Sequence, residues 1–163
     1  MKRILFIFII LFLVLFQLFP APKLTIRVNG KWTITLKVAD LVSSAGGSDF
    51  AGVLESAVNE ISVTISKTTD PIASPWRLDI SRVDTTWDPS LVLYARRTGD
   101  GTGDGTINGG TVYQEITNTD QIFFDGTGDR SSIDIQLKLS GVSANNLMVT
   151  TYAATVYYTV TEL

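Results

Sequence analysis

Downstream of Pro22, apolar and polar residues exchange places at alternate positions in stretch after stretch, and this period of two limits the fold more than any other feature. Leu24, Ile26 and Val28 alternate with Thr25 and Arg27. Trp32, Ile34, Leu36 and Val38 alternate with Thr33, Thr35 and Lys37. Ile61, Val63 and Ile65 do the same, as do Trp76, Leu78 and Ile80. The cleanest run is Ile133, Ile135, Leu137 and Leu139, set against Asp134, Gln136 and Lys138. Tyr152, Ala154, Val156, Tyr158 and Val160 form the last one. Residues 90–97, 111–116 and 121–125 add shorter candidates. Rich in β-branched residues and Thr, these segments read as half-buried strands.

About nine strands with turn signals between them, and no intervening helical pattern, predict an all-β chain. The expected form is a single immunoglobulin-like antiparallel β-sandwich over residues 22–163. Only Phe50 to Asn59 has apolar residues at helical spacing, at Phe50, Val53, Leu54 and Ala57. That segment is read as a short crossover helix or an irregular loop.

Asn29-Gly30 looks like a two-residue hairpin turn. Such a turn would put the apolar sets of its two strands on opposite faces. A three-residue loop, Asn29 to Lys31, pairs Val28 with Trp32 and Ile26 with Ile34 on one face, so burial favours the longer loop. Alternatively, residues 23–28 do not pair with 32–38 and act as a free strand.

The chain has 163 residues, no Cys and no His. Disulfides, thiolate metal sites, Cys nucleophiles, Ser-His-Asp triads and imidazole proton transfer are therefore excluded. Net charge is −3, and Arg96-Arg97 is the only basic pair beyond Lys2-Arg3, so nucleic acid is not an expected partner. Lys2-Arg3 followed by an apolar run from Ile4 to Phe19 reads as an export segment over residues 1–21. It is either a cleaved signal peptide or an N-terminal membrane anchor, with contact to the membrane only through residues 4–19. Either form places the rest of the chain outside the cytoplasm, extracellular or at the cell surface.

Asp100-Gly101-Thr102-Gly103-Asp104 recurs as Asp125-Gly126-Thr127-Gly128-Asp129. Paired carboxylates among hydroxyls and bare carbonyls offer hard oxygen ligands, so Asp100, Asp104, Asp125 and Asp129 are candidate Ca²⁺ ligands. The competing reading is that Asp-Gly and Thr-Gly make tight turns between strands. Beside the first copy, Arg96-Arg97 would pair with Asp100 or Asp129, or else form an anion patch. Paired carboxylates are the one catalytic route left without His or Cys, but no pair is marked as lining a cleft. No enzyme activity and no cofactor other than Ca²⁺ are expected.

Trp87, before the turn signal Asp88-Pro89, and Tyr94 are the candidates for an exposed ligand surface. Trp32 and Trp76 fall in register with core positions. The expected function is a structural subunit of an extracellular fibre, sheath or surface layer, a homo-oligomer or polymer assembling by β-strand addition. Leu24, Ile26 and Val28 are the candidate strand donor. The competing expectation is a non-catalytic adhesion module that binds surface polysaccharide, assisted by Ca²⁺.

Overall fold

A computed structural model describes residues 24–44, 47–67 and 75–163. The expected export segment, residues 1–21, lies outside them. The described residues form twelve strands. In chain order they are β1 (Leu24–Asn29), β2 (Val42–Ser44), β3 (Gly47–Asp49), β4 (Val53–Glu55), β5 (Ile61–Lys67), β6 (Pro75–Thr86), β7 (Val92–Arg97), β8 (Ile107–Gly109), β9 (Gln114–Glu115), β10 (Gln121–Thr127), β11 (Arg130–Ser140) and β12 (Ala153–Glu162). The described residues are all-β, and the one helical element among them is a short 3-10 turn, Val38–Asp40.

Two antiparallel sheets face each other like the layers of a sandwich. The first runs β1-β5-β11-β7-β9, with β4 pairing β11 beyond the end of β5; the second runs β12-β6-β10-β8. The inward set of the first sheet includes Ile61, Val63, Ile65, Ala95, Ile133, Ile135 and Leu137. It meets Trp76, Leu78, Ile80 and Phe124 of the second. These are the apolar members of the alternating runs, and each buried side chain of this size stabilises the fold by roughly 1.5–3 kcal/mol. Trp76 is fully enclosed; its Nε1–H donates to the Gly128 carbonyl at 2.8 Å, and its ring meets Phe124 edge-on at 6.2 Å. A register shift between Ile122 and Phe124 breaks the alternation in β10 and lets both Phe123 and Phe124 turn inward.

From β5 onward every successive strand changes sheet. The pairs β7–β9, β6–β10 and β5–β11 are nested inside one another. An immunoglobulin-like domain instead keeps consecutive strands together in one sheet at several points. Alternation and strand spacing are the same for either winding, so the sequence carries no strand order.

Three local expectations are corrected. Residues 24–28 do not form a hairpin with 32–38, as the alternative reading held, but neither are they a free strand. β1 pairs antiparallel with β5, Ile26 opposite Ile65 and Val28 opposite Val63, while residues 31–37 form no ladder among the described residues. Gly30, at φ +115°, does not close a hairpin; a Cβ there would overlap the Glu60 carbonyl and lie 3.1 Å from the Ile61 Cα. Phe50 to Asn59 contains no helix, because Val53 and Leu54 pair with Ser140 and Leu139 instead. Gln136 lies opposite the core face, as expected, yet is buried: its amide donates to the Ser56 carbonyl at 2.8 Å.

Candidate functional site

The edge of the first sheet carries the candidate strand donor. β1 is held to β5 along its whole length, from Leu24 opposite Lys67 to Asn29 opposite Ser62. Leu24 and Ile26 are half-buried against the core, whereas Val28 is 40% exposed. The segment therefore completes its own sheet. β1 also packs against β12 where the two sheets meet. There Lys67, itself buried, reaches Glu162 at the end of β12, Nζ to Oε1 2.7 Å. The inward residues of β12, Val156, Tyr158 and Val160, stay half-buried. Ile80 and Leu78 on β6, opposite Tyr158 and Val160, are fully buried. The seam between β1 and β12 is thus a partly covered margin of the core. The Tyr158 hydroxyl is buried without a hydrogen-bond partner among the described residues, and that burial pushes its pKa up.

The structure brings the two acidic pentapeptides side by side but does not gather their carboxylates. Thr102 and Ser131 form an isolated antiparallel bridge that lays the first copy along the β10–β11 turn. Asp100 forms an ion pair with Arg97. Burial, and then the charge of Arg130, push the Arg97 guanidinium below its ordinary pKa. Asp129 accepts the backbone N–H of Lys67 at 2.7 Å, and Asp125 accepts the Asn108 amide at 3.3 Å. Asp104 sits in an exposed turn. Among the described residues no three carboxylates converge in a way that would hold a metal ion.

What the pentapeptide does show is a glycine face. Gly99, Gly101, Gly103 and Gly105 occupy alternate positions, and each lies against the backbone or side chains of residues 127–134. A Cβ at Gly101, Gly103 or Gly105 would overlap the carbonyl oxygen of Ser131, Asp129 or Thr127 respectively. The Arg130 guanidinium holds the loop by donating to the carbonyls of Gly103 and Gly105. The signal was present in the sequence as glycine with the period of a strand.

Trp87 and Tyr94 do not share a surface. Trp87 follows β6 at the end of the sandwich, packs partly on the core and donates its indole N–H to Leu91 at 2.9 Å; the Arg82 guanidinium lies 4.7 Å from its ring. Tyr94 lies opposite the core face of the first sheet. There Lys138 Nζ sits 4.4 Å from the Tyr94 ring and 4.2 Å from Tyr113, and Arg96 covers Tyr113 at 4.6 Å. Gln136 fixes Arg96 by accepting from its Nε at 3.0 Å and its Nη2 at 2.8 Å. Burial raises the Tyr113 phenol pKa. The protein's own cations occupy these aromatic faces.

Sequence reasoning missed one concave surface. A shallow cleft of about 580 Å³ opens on the second sheet, lined by Ser81, Val83, Asn118, Thr119, Asp120, Tyr157 and Thr159. The loop forming its rim is held by the Arg82 N–H to Thr117 carbonyl bond at 2.9 Å and by the Thr119 N–H to Thr117 hydroxyl bond at 3.3 Å. Residues 117–120 carry only the polar composition of a turn, so no sequence signal marked them. No protein-family model, curated protein or solved structure matches the chain.

Proposed function

We propose that this protein is a structural subunit of an extracellular fibre, sheath or surface layer, exported by residues 1–21, whose copies join by β-strand addition. The supporting observation is the state of β1. It lies at a sheet edge, its ladder partner among the described residues is β5 alone, and residues 31–37 that follow form no ladder. The same backbone bonds and the same half-buried places for Leu24 and Ile26 serve a strand from a neighbouring copy equally well. Exchange of β1 from copy to copy gives an open head-to-tail polymer. The finer winding we assign is jelly-roll-like rather than immunoglobulin-like, because the nested pairs follow one hairpin rolled over the core. This role requires no catalytic residue and no cofactor.

The test is a chain that begins at Asn29. It should remain folded, lose the ability to form filaments, and bind a synthetic 22–30 peptide. It should ignore the same peptide with Ile26→Asp. A truncated chain that still polymerises and binds neither peptide overturns strand donation by β1.

One observation favours a second reading, a polysaccharide-binding adhesion module. The cleft on the second sheet combines the half-exposed Tyr157 ring with hydroxyls, an amide and the Asp120 carboxylate. That is the chemistry of sugar recognition, a stacking face beside hydrogen-bonding groups. Binding of neutral polysaccharide that is lost in Tyr157→Ala would support it. Equal binding by the two chains would remove it.

A further inference from the structure

Among the described residues the two sheets have five edge strands, β1, β4, β9, β12 and β8, and their protection is unequal; β4, Val53–Glu55, is too short to template another strand. β9 spans Gln114–Glu115 and β8 spans Ile107–Gly109, both too short to template another strand. β1 carries Arg27 near its middle. β12 runs ten residues, Ala153–Glu162, with no Lys, Arg, Pro or Gly, and its one charge is Glu162 at the last position. Its only register shift lies at Ala153/Ala154, so residues 154–162 form a regular strand. Among the described residues β12 has a ladder with β6 alone, and β1 packs against it without forming one. Edge strands of this length are ordinarily guarded by charge, proline or a bulge that twists them away. β12 carries none of these along residues 154–161.

We infer that β12 is a self-pairing edge: two copies of this chain join antiparallel, β12 against β12 about a two-fold axis, making one continuous sheet from two second sheets. A two-fold axis brings a strand against itself antiparallel, and the period of two then keeps like faces together. Val156, Tyr158 and Val160 of each copy meet on the inner side, where their half-burial leaves apolar surface to cover. Thr155, Tyr157 and Thr159 meet on the outer side, β-branched and aromatic residues suited to cross-strand pairs. No like charges oppose each other along this segment, which favours a second copy over a charged partner. The inference rests on the self-assembly reading above and adds a second seam to it. A β12 seam alone closes into a dimer, whereas combined with β1 exchange it links polymer strands side by side.

The absence of cysteine makes the test direct. Single substitutions Thr155→Cys, Tyr157→Cys and Thr159→Cys are introduced into the full chain, with Thr25→Cys on β1 as the control. The variants are oxidised mildly, singly and in pairwise mixtures. An antiparallel seam predicts disulfide dimers only for pairs whose residue numbers share one sum, and none between Thr25→Cys chains. A second arm replaces residues 155, 157 and 159 together by Lys in one chain and by Glu in another. Each should dimerise at least tenfold more weakly than the parent, and an equimolar mixture should recover the affinity. Disulfides formed without regard to register, no disulfides while the parent chain is multimeric, or a mixture that stays monomeric each overturns the β12 seam. A parent chain monomeric at every concentration overturns this inference and the self-assembly reading together. A chain beginning at Asn29 that still dimerises with the predicted disulfides leaves the β12 seam standing and separates it from the role of β1.

Discussion

Replacing Gly103 by alanine tests the idea that the acidic pentapeptides are built for close backbone approach. Gly103 sits at φ +140°, a conformation that costs an L-residue about 1–3 kcal/mol. A Cβ there would overlap the Asp129 carbonyl oxygen and stand 3.0 Å from its carbon, so the loop and the β10–β11 turn must separate. Separation strains the Thr102–Ser131 bridge and the Arg130 bond to the Gly103 carbonyl, which spans 3.4 Å. Adding an overpacking cost to the backbone strain gives an expected loss of about 2–6 kcal/mol. For a domain of this size that lowers Tm by roughly 5–20 °C. Urea titration followed by tryptophan fluorescence reads the effect, because Trp76 donates to Gly128 on the same turn. Asp104→Ala, next door and exposed, is the control and should stay within about 0.5 kcal/mol of the parent. A Gly103→Ala chain as stable as the control would refute the reasoning.

Three further outcomes follow from the same structure. Tyr158→Phe removes a buried hydroxyl without a partner among the described residues, so denaturant titration should find stability unchanged or raised by up to about 1 kcal/mol, and a loss above that would reveal a bond to the hydroxyl. Asp49 is held below its ordinary pKa of 3.8, first by the Ser143 hydroxyl and then by the Ala144 N–H. Its stabilising effect is therefore fully present above pH 3.8 and is lost as pH falls through the lower folded-state value. Asp49→Asn should flatten the acid side of the stability profile, and an unaltered acid limb would contradict this. Melting with Ca²⁺ and with chelator should give the same midpoint, since Asp100, Asp129 and Asp125 are directed to separate partners and Asp104 lies exposed; a rise of about 2.7 kcal/mol at one hundred times Kd would restore the ion-binding reading.

The layers of this fold were legible because burial writes itself into the sequence at period two. Ile133, Ile135 and Leu137 announced their strand, and they are buried at its centre. Winding was not legible, since nothing in those residues says that β11 lies between β5 and β7. Asn29-Gly30 misled for a similar reason. A glycine that makes room for the Glu60 carbonyl looks the same in sequence as one that turns a hairpin. The pentapeptides were noticed, but their meaning depended on which residues faced the carbonyls of 127–131. Trp87 and Tyr94 looked available because the cations that cover their rings, Arg82 and Lys138, come from other strands or from several positions away. The cleft rim at 117–120 is made by polar residues that any exposed turn would carry, so only their place over β6 and β12 distinguishes them.

Sedimentation velocity of the chain from Leu24 to Leu163, run from micromolar to millimolar concentration, tests self-assembly through edge strands most directly. The account predicts a sedimentation coefficient that rises with concentration and falls back when residues 24–28 are removed and residues 155, 157 and 159 are all made lysine. A single monomeric boundary at every concentration would contradict it.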